Sequence, residues 1–337
     1  MNAMAEKIVI LGAGQMGTAF AQYLAKQGYP VTLWMRREDQ YKSITSTGYN
    51  EQYMPGLKLH ENISYSIDIE ASLKGSKLIV LAIPSSAINE FLDTSGSHFS
   101  NINTPVILST IKGLPEGEKV DRVSNVISKV ISNSVVAALS GPNIAKEIAL
   151  GLPTTTTIAC QNESVLNWLV STFDSSTLKV YPSRDLIGTE LCGSLKNVVT
   201  VAVGLVDGLK LGENVKGVVV ASGFYEIGQL IESSGGARET RFSPAGLEDL
   251  LVASYSGRSR NYRLGKMLGE GKSMEDIKSE FGHITFEGIK TARLTWILAN
   301  ELGVEAPLVN CVYELITGQA TAEDAFNKFW NSQKKIG

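Results

Sequence analysis

The chain has 337 residues, which is enough for about two domains. Lysine and arginine total 31, and aspartate and glutamate total 34, so the formal net charge is −3. A chain with this charge lacks the basic surface that nucleic-acid backbones require, and we expect no nucleic-acid partner. The longest apolar stretch, 198–206, is closed by Asp207, well short of the roughly 18 residues of a membrane span. We therefore expect no membrane span.

The cysteines indicate the compartment. Cys160, Cys192 and Cys311 are far apart in the sequence and form no CxxC pair or Cys/His cluster. Such sparse cysteines, with no secretory leader, favour a reducing compartment, and we expect a cytoplasmic protein. The same pattern argues against a metal site, and none is expected.

Short apolar runs alternate with helical patterns through the first half of the chain, which is typical of βαβ units and a parallel sheet. A helix is predicted over Met16–Gln27, between the first two strands. The predicted strands are Lys7–Leu11, Val31–Trp34, Lys77–Ala82, Val106–Ser109, Val135–Leu139, Thr154–Ala159 and Leu178–Tyr181.

After about Asp185 the strand-like runs stop and long helical patterns follow. The predicted helices are Leu186–Leu205, Val215–Ser233, Ala245–Tyr255, Asn261–Gly269 and Phe286–Gly303. The sequence therefore predicts an α/β domain with a parallel sheet over residues 4–184 and an all-α domain over residues 185–337.

A GxGxxG motif, Gly12 to Gly17, follows the first strand and opens the first helix. This is the context in which the motif binds a dinucleotide. Gly12 permits the tight turn, Gly14 lets the backbone approach a pyrophosphate, and Gly17 lets helix and strand pack closely. The sequence favours a Rossmann-like fold for the first domain, although a glycine-rich turn without a ligand would show the same spacing.

Arg36 and Arg37 end the second strand, where a carboxylate would hold the ribose 2′-OH of NAD and an arginine would accept the 2′-phosphate of NADP. The arginines favour NADPH. Glu38 and Asp39 follow directly, and their carboxylates leave NAD as the alternative cofactor. The alternative interpretation is that the two arginines bind no ligand and are exposed at the start of a solvated helix.

Lys196 is the only charged residue between Glu190 and Asp207. A lysine on an apolar helix can extend to water, but a helix that is apolar on all sides is normally buried. Burial would lower the pKa of the amine towards neutrality and make Lys196 a general acid and base. Asn197 beside it could orient a substrate hydroxyl.

Donor-rich residues cluster at Ser259, Arg260 and Asn261, at the start of a predicted helix. This set suits a phosphate, although a solvated basic face has the same composition. Asp249 lies among apolar residues, where a carboxylate often pairs with a buried cation. The turn from Ser140 to Asn143 follows a strand, where open α/β sheets bind ligands, and Asn143 could also cap the next helix. Lys112 follows its strand in the same way.

At these motifs the sequence resembles the bacterial-type NAD(P)-dependent glycerol-3-phosphate dehydrogenase family. The resemblance covers nearly the whole chain in order: the glycine motif, Lys112-Gly113, the segment 140–147, the segment 193–198, Asp207-Gly208, the segment 246–250, the segment 259–261 and Glu287-Gly288. It implies a Rossmann domain joined to a helical domain. It also implies the interconversion of dihydroxyacetone phosphate and sn-glycerol 3-phosphate for phospholipid synthesis.

The resemblance also implies roles for individual residues. Lys196 would be the general acid and base, with Lys112 and Asp249 as its catalytic partners. The substrate would contact Lys112, Gly141, Asn143, Lys196, Asp249, Ser259, Arg260 and Asn261. The cofactor NAD(P) would contact Gly12, Gly14, Gln15, Met16, Gly17, Arg36, Arg37, Tyr53, Lys112, Ala145, Arg260, Thr285 and Glu287.

Two alternatives stay open. One is a related two-domain reductase of another carbonyl substrate, such as an enzyme of the hydroxyacyl-CoA or ketopantoate type, but Ser259–Asn261 argue against it because those substrates need other anchors. The other is a protein that senses NAD(P) without chemistry and has no use for Lys196. Apolar helix surface in the second domain is compatible with a homodimer.

Overall fold

The computed structural model describes residues 6–102, 105–117, 120–257, 259–281 and 287–333. The chain divides into two compact units, Met1–Leu186 and Ile187–Gly337. Within the described part of the first unit, the strands are β1 (Ile8–Leu11), β2 (Val31–Trp34), β3 (Ile63–Ser66), β4 (Leu78–Leu81), β5 (Val106–Ser109), β6 (Val135–Ser140), β7 (Thr154–Cys160) and β8 (Leu178–Ser183). The helices there are α1 (Gln15–Lys26), α2 (Glu38–Thr47), α3 (Ile69–Leu73), α4 (Ile88–Ser95), α5 (Val123–Val130), α6 (Ala145–Leu150) and α7 (Glu163–Phe173).

These strands form one sheet in the order β3-β2-β1-β4-β5-β6-β7-β8. The order reverses direction at β1, which pairs in parallel with both β2 and β4. Such a switch point is where open α/β sheets bind ligands, at the carboxyl ends of the strands. The predicted α/β class and Rossmann-like arrangement are confirmed.

The prediction of a parallel sheet needs one correction, at β7. This strand runs antiparallel to β6, with Ala137 opposite Cys160 and Ser140 opposite Thr157, while β8 runs parallel to β7. Strand β3 was also missing from the prediction. It is an edge strand in which Ile63 is buried and Ser64 is exposed, so it lacks the continuous apolar run of the central strands.

The core of the first unit lies on both faces of the sheet. Alternate residues of β1 point in opposite directions, as in any strand. Ile8 and Ile10 pack against α1 residues such as Phe20 and Leu24, whereas Val9 and Leu11 pack with Phe91 and Phe99 on the other face. Both faces are therefore buried, which explains why the central strands read as uninterrupted apolar runs.

All regular secondary structure in the described part of the second unit is helical. Its α-helices are α8 (Leu186–Gly208), α9 (Glu213–Ser233), α10 (Asp249–Tyr255), α11 (Arg260–Gly269), α12 (Met274–Phe281), α13 (Glu287–Leu302), α14 (Pro307–Thr317) and α15 (Ala322–Ser332). The predicted all-α character is confirmed, although α12, α14 and α15 were not predicted. Of the predicted helix Ala245–Tyr255, only Asp249–Tyr255 is α-helical, and Pro244–Glu248 forms a π-helical turn.

Helix α8 is long enough and apolar enough to cross a membrane, with a mean hydropathy of 1.3 over its best window. However, 94% of that window is buried inside the protein, as in the core helix of a globular unit. The sequence expectation counted only the uninterrupted apolar run 198–206. Helix α8 extends well beyond that run and also contains Glu190 and Lys196, whose charged side chains are buried.

Helices α8 and α11 run side by side with almost no side-chain volume between them. A Cβ on Gly265 would lie 1.8 Å from the Val201 carbonyl oxygen, and one on Gly269 would lie 2.6 Å from the Leu205 oxygen. From the opposite side, a Cβ on Gly204 would lie 2.0 Å from the Tyr262 oxygen. Only glycine permits this approach, which fixes the register of α11 on α8.

Candidate active site

The glycine motif lies at the carboxyl end of β1 and opens α1. Gly12 has a φ of +112°, which favours glycine, and a Cβ there would lie 2.5 Å from the Ala82 carbonyl oxygen. A Cβ on Gly17 would lie 1.8 Å from the Gly12 oxygen, so helix and loop are in backbone contact. At Gly14 a Cβ would meet nothing within 4 Å. The loop is therefore tightly packed on the inside and open where a ligand would approach.

The N-terminus of α1 is suited to an anion. Gly14 is the N-cap residue, no side chain caps the helix, and its first turn contains no acidic residue. The first N–H groups of a helix lack partners within the helix and attract phosphate. Of the predicted cofactor residues in this turn, Gln15 is exposed and Met16 is half-buried.

A buried polar network lies behind the glycine motif. The Ala13 carbonyl oxygen accepts hydrogen bonds from Gln40 Nε2 at 2.8 Å and from Asn50 Nδ2 at 3.0 Å. Asn50 Nδ2 also donates to Thr18 Oγ1 at 2.7 Å, and Gln40 Nε2 to Asn50 Oδ1 at 3.3 Å. The sequence analysis missed these residues, because no short motif links the glycine loop to positions 40 and 50.

Arg36 and Arg37 follow β2 at the same edge, and both are exposed. The Arg36 guanidinium is 3.7 Å from a carboxylate oxygen of Glu90. Arg37 donates to Gln52 Oε1 at 2.5 Å and is 3.2 Å from Asp39. A cavity of about 140 Å³ lies beside Arg37 and is lined mostly by polar side chains of α2 and of the segment 49–52. Tyr53 follows that segment and is half-buried.

Lys112, Gly141 and Asn143 come together beyond the ends of β5 and β6. Lys112 Nζ donates to the Gly141 carbonyl oxygen at 2.6 Å. Asn143 is buried and does not cap α6, whose N-cap is Ile144, so the predicted capping role is wrong. Its side chain instead accepts from Thr156 Oγ1 at 3.0 Å and donates to the Thr155 carbonyl oxygen at 3.2 Å.

Thr156 belongs to β7, so the reversed strand itself holds the turn that carries Gly141 and Asn143. A Cβ on Gly141 would lie 2.8 Å from the Thr156 Cα, which only glycine allows. Ser140 Oγ, directly before this turn, is buried and has no hydrogen-bond partner within the described residues. Ala145 begins α6 and is half-buried.

In the second unit, Lys196 is buried, as the apolar pattern of its helix predicts. It is 9% exposed, and its Nζ lies 2.5 Å from Asp249 Oδ1. Asp249 is 3% exposed. The pairing between these two residues, which lie 53 positions apart, joins α8 to α10. The interpretation of Lys196 as a lysine that extends to water is therefore wrong.

Asp249 is placed by the π-helical turn Pro244–Glu248. The turn ends where α10 begins, and Asp249 is the first residue of α10. A Cβ on Gly246 would lie 2.0 Å from the Arg241 carbonyl oxygen, so this turn packs closely on the preceding 3₁₀ segment, Arg238–Phe242. π-Helical turns occur mostly as single insertions and frequently at functional sites.

Asn197, the residue that follows Lys196, belongs to a chain of buried hydrogen bonds. Asn261 Nδ2 donates to Asn197 Oδ1 at 3.0 Å, and the Gly288 backbone N–H donates to Asn261 Oδ1 at 2.9 Å. The offset between Asn197 and Asn261 is 64 positions, the same as between Val201 and Gly265. The glycine contacts of α8 and α11 therefore set the position of Asn261 beside the residue that follows Lys196.

Ser259 is the N-cap residue of α11, and neither a capping side chain nor an acidic residue occupies its first turn. Arg260 is exposed at this helix end. Glu287 is half-buried; burial raises its pKa, and the charges of Arg260 and Lys290 oppose that rise. Arg260 and Glu287, both predicted to contact the cofactor, are therefore electrostatic neighbours. Thr285, another predicted contact, lies outside the described residues.

Two further ionisable groups of this unit were not predicted. Glu226 is 4% exposed and accepts hydrogen bonds from the backbone N–H groups of Leu308 (2.7 Å) and Val309 (3.1 Å), at the start of α14. Burial raises its pKa to about 7, against these two bonds. Asp207 accepts from Tyr262 and lies 2.5 Å from Lys216 Nζ. Burial would raise the pKa of Asp207, but these two partners lower it below its usual value.

Comparison with known proteins agrees with this arrangement. Two family models match the chain in sequence: the NAD-dependent glycerol-3-phosphate dehydrogenase N-terminus over residues 7–166 and the corresponding C-terminus over residues 185–327. The chain belongs to this family. The resemblance stated from the sequence is thereby confirmed.

Two relatives are similar to this chain over nearly their full lengths. Glycerol-3-phosphate dehydrogenase [NAD(P)+] of Geobacillus thermodenitrificans is 36% identical over 333 residues, which is 98% of this chain and 96% of that protein. The crystal structure of glycerol-3-phosphate dehydrogenase from Coxiella burnetii is 32% identical, with a TM-score of 0.90, and covers 97% of this chain and 99% of that one.

A 2-dehydropantoate 2-reductase from Enterococcus faecalis, at 14% identity and a TM-score of 0.55, shares the fold alone. The alternative of another carbonyl reductase is not favoured. Members of the glycerol-3-phosphate dehydrogenase family are NAD(P)-dependent oxidoreductases. The first unit fits such a cofactor, because the space at Gly14 and the uncapped start of α1 suit a pyrophosphate.

Proposed function

We propose that the protein interconverts dihydroxyacetone phosphate and sn-glycerol 3-phosphate with NAD(P), and so supplies the glycerol backbone of phospholipids. The observation that carries this proposal is the buried pair of Lys196 and Asp249, joined through Asn197 to the start of α11. An ammonium group buried in an apolar helix can transfer a proton to a ketone, and the donor-rich start of α11 suits the phosphate of a phosphorylated substrate.

Lys196 is assigned the proton transfer. When bound, the nicotinamide ring supplies a hydride to the central carbon of the triose phosphate or accepts one from it. During reduction the electron pair of the C=O double bond moves to the oxygen, and Lys196 Nζ gives that oxygen a proton. In the reverse direction the amine takes the hydroxyl proton. Asp249 holds Nζ in place and balances its charge, as a carboxylate 2.5 Å away can do.

The start of α11 is assigned the substrate phosphate. Its first N–H groups and the helix dipole favour an anion, and Ser259 and Arg260 add a hydroxyl and a guanidinium. Asn261 uses its oxygen and one N–H within the protein, so its second N–H is assigned to the same phosphate. Such fixed donors orient the substrate and lower the barrier by positioning.

Residues 4–184 are assigned to cofactor binding and residues 185–337 to substrate binding and proton transfer. In the first domain the glycine motif, Gln15 and Met16 are assigned to the pyrophosphate region of the cofactor. Arg36, Arg37 and Tyr53 are assigned to its adenosine end. Lys112 and Ala145 would also contact the cofactor, as would Arg260, Thr285 and Glu287 from the second domain. Lys112, Gly141 and Asn143 would contact the substrate.

NADPH is the proposed cofactor, because two arginines follow β2, where a Rossmann-like domain would hold the ribose of a dinucleotide. Their present partners are the side chains of Glu90, Gln52 and Asp39, which are exposed and able to move aside. The carboxylates of Glu38 and Asp39 lie on α2 rather than at the end of the strand.

We also propose a cytoplasmic location and a homodimer. All three cysteines are buried and form no disulfide within the described residues, as suits a reducing compartment. Large apolar side chains remain exposed in the second unit, which supports association with a second copy. They are Leu211, Tyr225, Phe242, Leu251, Tyr255 and Trp330. Size-exclusion chromatography with light scattering tests the oligomeric state.

The decisive experiment is a direct assay of the purified protein. Consumption of NADPH is followed by absorbance with dihydroxyacetone phosphate and, in parallel, with ketopantoate and with a 3-oxoacyl-CoA. We expect turnover with dihydroxyacetone phosphate alone. Turnover with another carbonyl substrate alone would replace this proposal, and binding of NADPH without turnover of any substrate would indicate a sensor.

A further inference from the structure

We propose that Asn50 and Gln40 are positioning residues for the cofactor, because they orient the peptide between Ala13 and Gly14. The inference rests on the proposed cofactor site. It concerns two side chains that hold the carbonyl side of this peptide.

The carbonyl group of Ala13 is buried and needs donors. Ala13 is 5% exposed, and an unsatisfied carbonyl oxygen at such a site would cost free energy comparable to a lost hydrogen bond. Gln40 Nε2 and Asn50 Nδ2 approach this oxygen at 2.8 and 3.0 Å and so occupy its two lone pairs. Thr18 Oγ1 lies farther away, at 3.5 Å.

The two amides are themselves fixed. Asn50 is 1% exposed and donates its other N–H to Thr18 Oγ1, while the second N–H of Gln40 faces Asn50 Oδ1. Every donor of the two side chains therefore has an acceptor. A polar network in which all members are satisfied rigidifies its surroundings.

The geometry of a trans peptide connects this network to the ligand side. The C=O of one residue and the N–H of the next lie in one plane and point in opposite directions. When the Ala13 carbonyl is held inward by Asn50 and Gln40, the Gly14 N–H is directed outward. That N–H belongs to the N-cap residue of α1, where the space for a Cβ is empty and a pyrophosphate would bind.

Gln22 provides a matched control on the same helix. It is a buried amide, 4% exposed, that follows Thr18 by four residues along α1. It binds the same loop as Asn50, but farther along, since it accepts from the His60 N–H at 2.8 Å and donates to the Lys58 carbonyl at 3.3 Å. It makes no contact with Ala13. Loss of Gln22 should loosen the loop without turning the peptide.

The test measures cofactor binding directly. Dissociation constants of NADH, NADPH and ADP-ribose are determined for the wild-type protein, Asn50→Ala, Gln40→Met and Gln22→Ala, by fluorescence and calorimetry. We expect Asn50→Ala and Gln40→Met to weaken all three ligands by about tenfold, because each carries the pyrophosphate. Gln22→Ala should bind within twofold of wild type despite a comparable loss of thermal stability.

Equal loss of affinity in Gln22→Ala would overturn the inference and leave only a packing role. Wild-type affinity in Gln40→Met would do the same, and this variant, which keeps the side-chain volume, decides the question if Asn50→Ala fails to fold. A wild-type protein that binds none of the three ligands would also contradict it. Binding of NADH without turnover of dihydroxyacetone phosphate would contradict only the proposed function.

Discussion

Lys196 and Asp249 form an ion pair of 2.5 Å between α8 and α10, and both side chains are buried. Taking two charges out of water is expensive, so such a pair contributes little net stability compared with apolar residues. Breaking it by removing one partner is nevertheless costly, because the other charge stays buried. Stability and catalysis therefore have to be separated when either residue is replaced.

Lys196→Met should abolish most of the turnover and also destabilise the protein. We expect kcat to fall by about 10²-fold or more through the loss of the acid and base. Loss of the ammonium group beside the buried Asp249 carboxylate should lower the free energy of unfolding by about 3–5 kcal/mol. The Kd of NADPH should be unchanged. Steady-state kinetics, urea unfolding and a binding titration measure the three quantities.

The control is Lys196→Met combined with Asp249→Asn. Removing the second charge should restore at least half of the lost stability and none of the turnover. Near-normal kcat in either variant would reject Lys196 as the general acid and base.

Glu226 should make the stability of the protein depend on pH. Burial raises its pKa from 4.5 to about 7, so the carboxyl is more easily ionised in the unfolded chain than in the folded one. The contribution of this carboxyl to the free energy of unfolding is fully present below pH 4.5, and it is lost as the pH rises through 7. The difference is on the order of 3 kcal/mol. Urea unfolding between pH 4.5 and 8 measures it.

Glu226→Gln should flatten this pH dependence, since an amide does not titrate. Glu232→Gln serves as the matched control, because Glu232 lies on the same helix and its side chain is 58% exposed. The Glu232 variant should keep the wild-type slope. An unchanged slope in Glu226→Gln would show that another group controls the stability in this range.

Much of this arrangement was predictable from residue types, and the failures have physical causes. The glycine motif and Lys196 are local signals: a strand, a turn and a helix in one case, and a lone charge on an apolar helix in the other. The direction of β7 is not local. Its sequence is compatible with either pairing, and the choice depends on how the chain returns after the short helix α6.

The networks behind the site were not predictable for the same reason. Asn50 and Gln40 meet at Ala13 only because the segment 48–60 folds back along α1, and nothing in that segment resembles a motif. The π-helical turn before Asp249 was read as regular helix, since its sequence keeps a helical pattern. Polar groups that act through tertiary contacts produce no periodic pattern in the sequence.

Arg36→Asp should change the preference between cofactors. We expect the KM of NADPH to rise by about tenfold or more, because a carboxylate repels the 2′-phosphate, while the KM of NADH changes little. The ratio of the two values in wild type and variant is the readout. Lys42→Asp is the control, since Lys42 is an exposed cation of α2 paired with Glu38. A similar change of ratio in that variant would indicate a general charge effect.

Gly265→Ala should be among the most damaging single-methyl changes in the second unit. Its Cβ would lie 1.8 Å from the Val201 carbonyl oxygen, so α11 would have to move away from α8. We expect a loss of about 1–3 kcal/mol or more in the free energy of unfolding. The KM of dihydroxyacetone phosphate should also rise, because Asn261 lies one turn away on the same helix.

Gly217→Ala is the matched control. Gly217 is an exposed residue in α9, and a Cβ there would meet nothing within 4 Å. Alanine in this place should leave turnover unchanged and raise the melting temperature slightly, because it favours the helix. If Gly265→Ala behaves in the same way, the close approach of the two helices is not rigid.

The reversal of β7 gives Thr154 and Thr156 a role beyond their preference for extended backbone. A strand that enters the sheet from the ligand side presents its first residues there, and these are Thr154 to Thr157. Their hydroxyl groups can then tether the preceding turn, as Thr154 does to the Pro142 carbonyl and Thr156 to Ser140 and Asn143. A strand in the opposite orientation would carry those hydroxyls to the far edge and leave that turn to solvent.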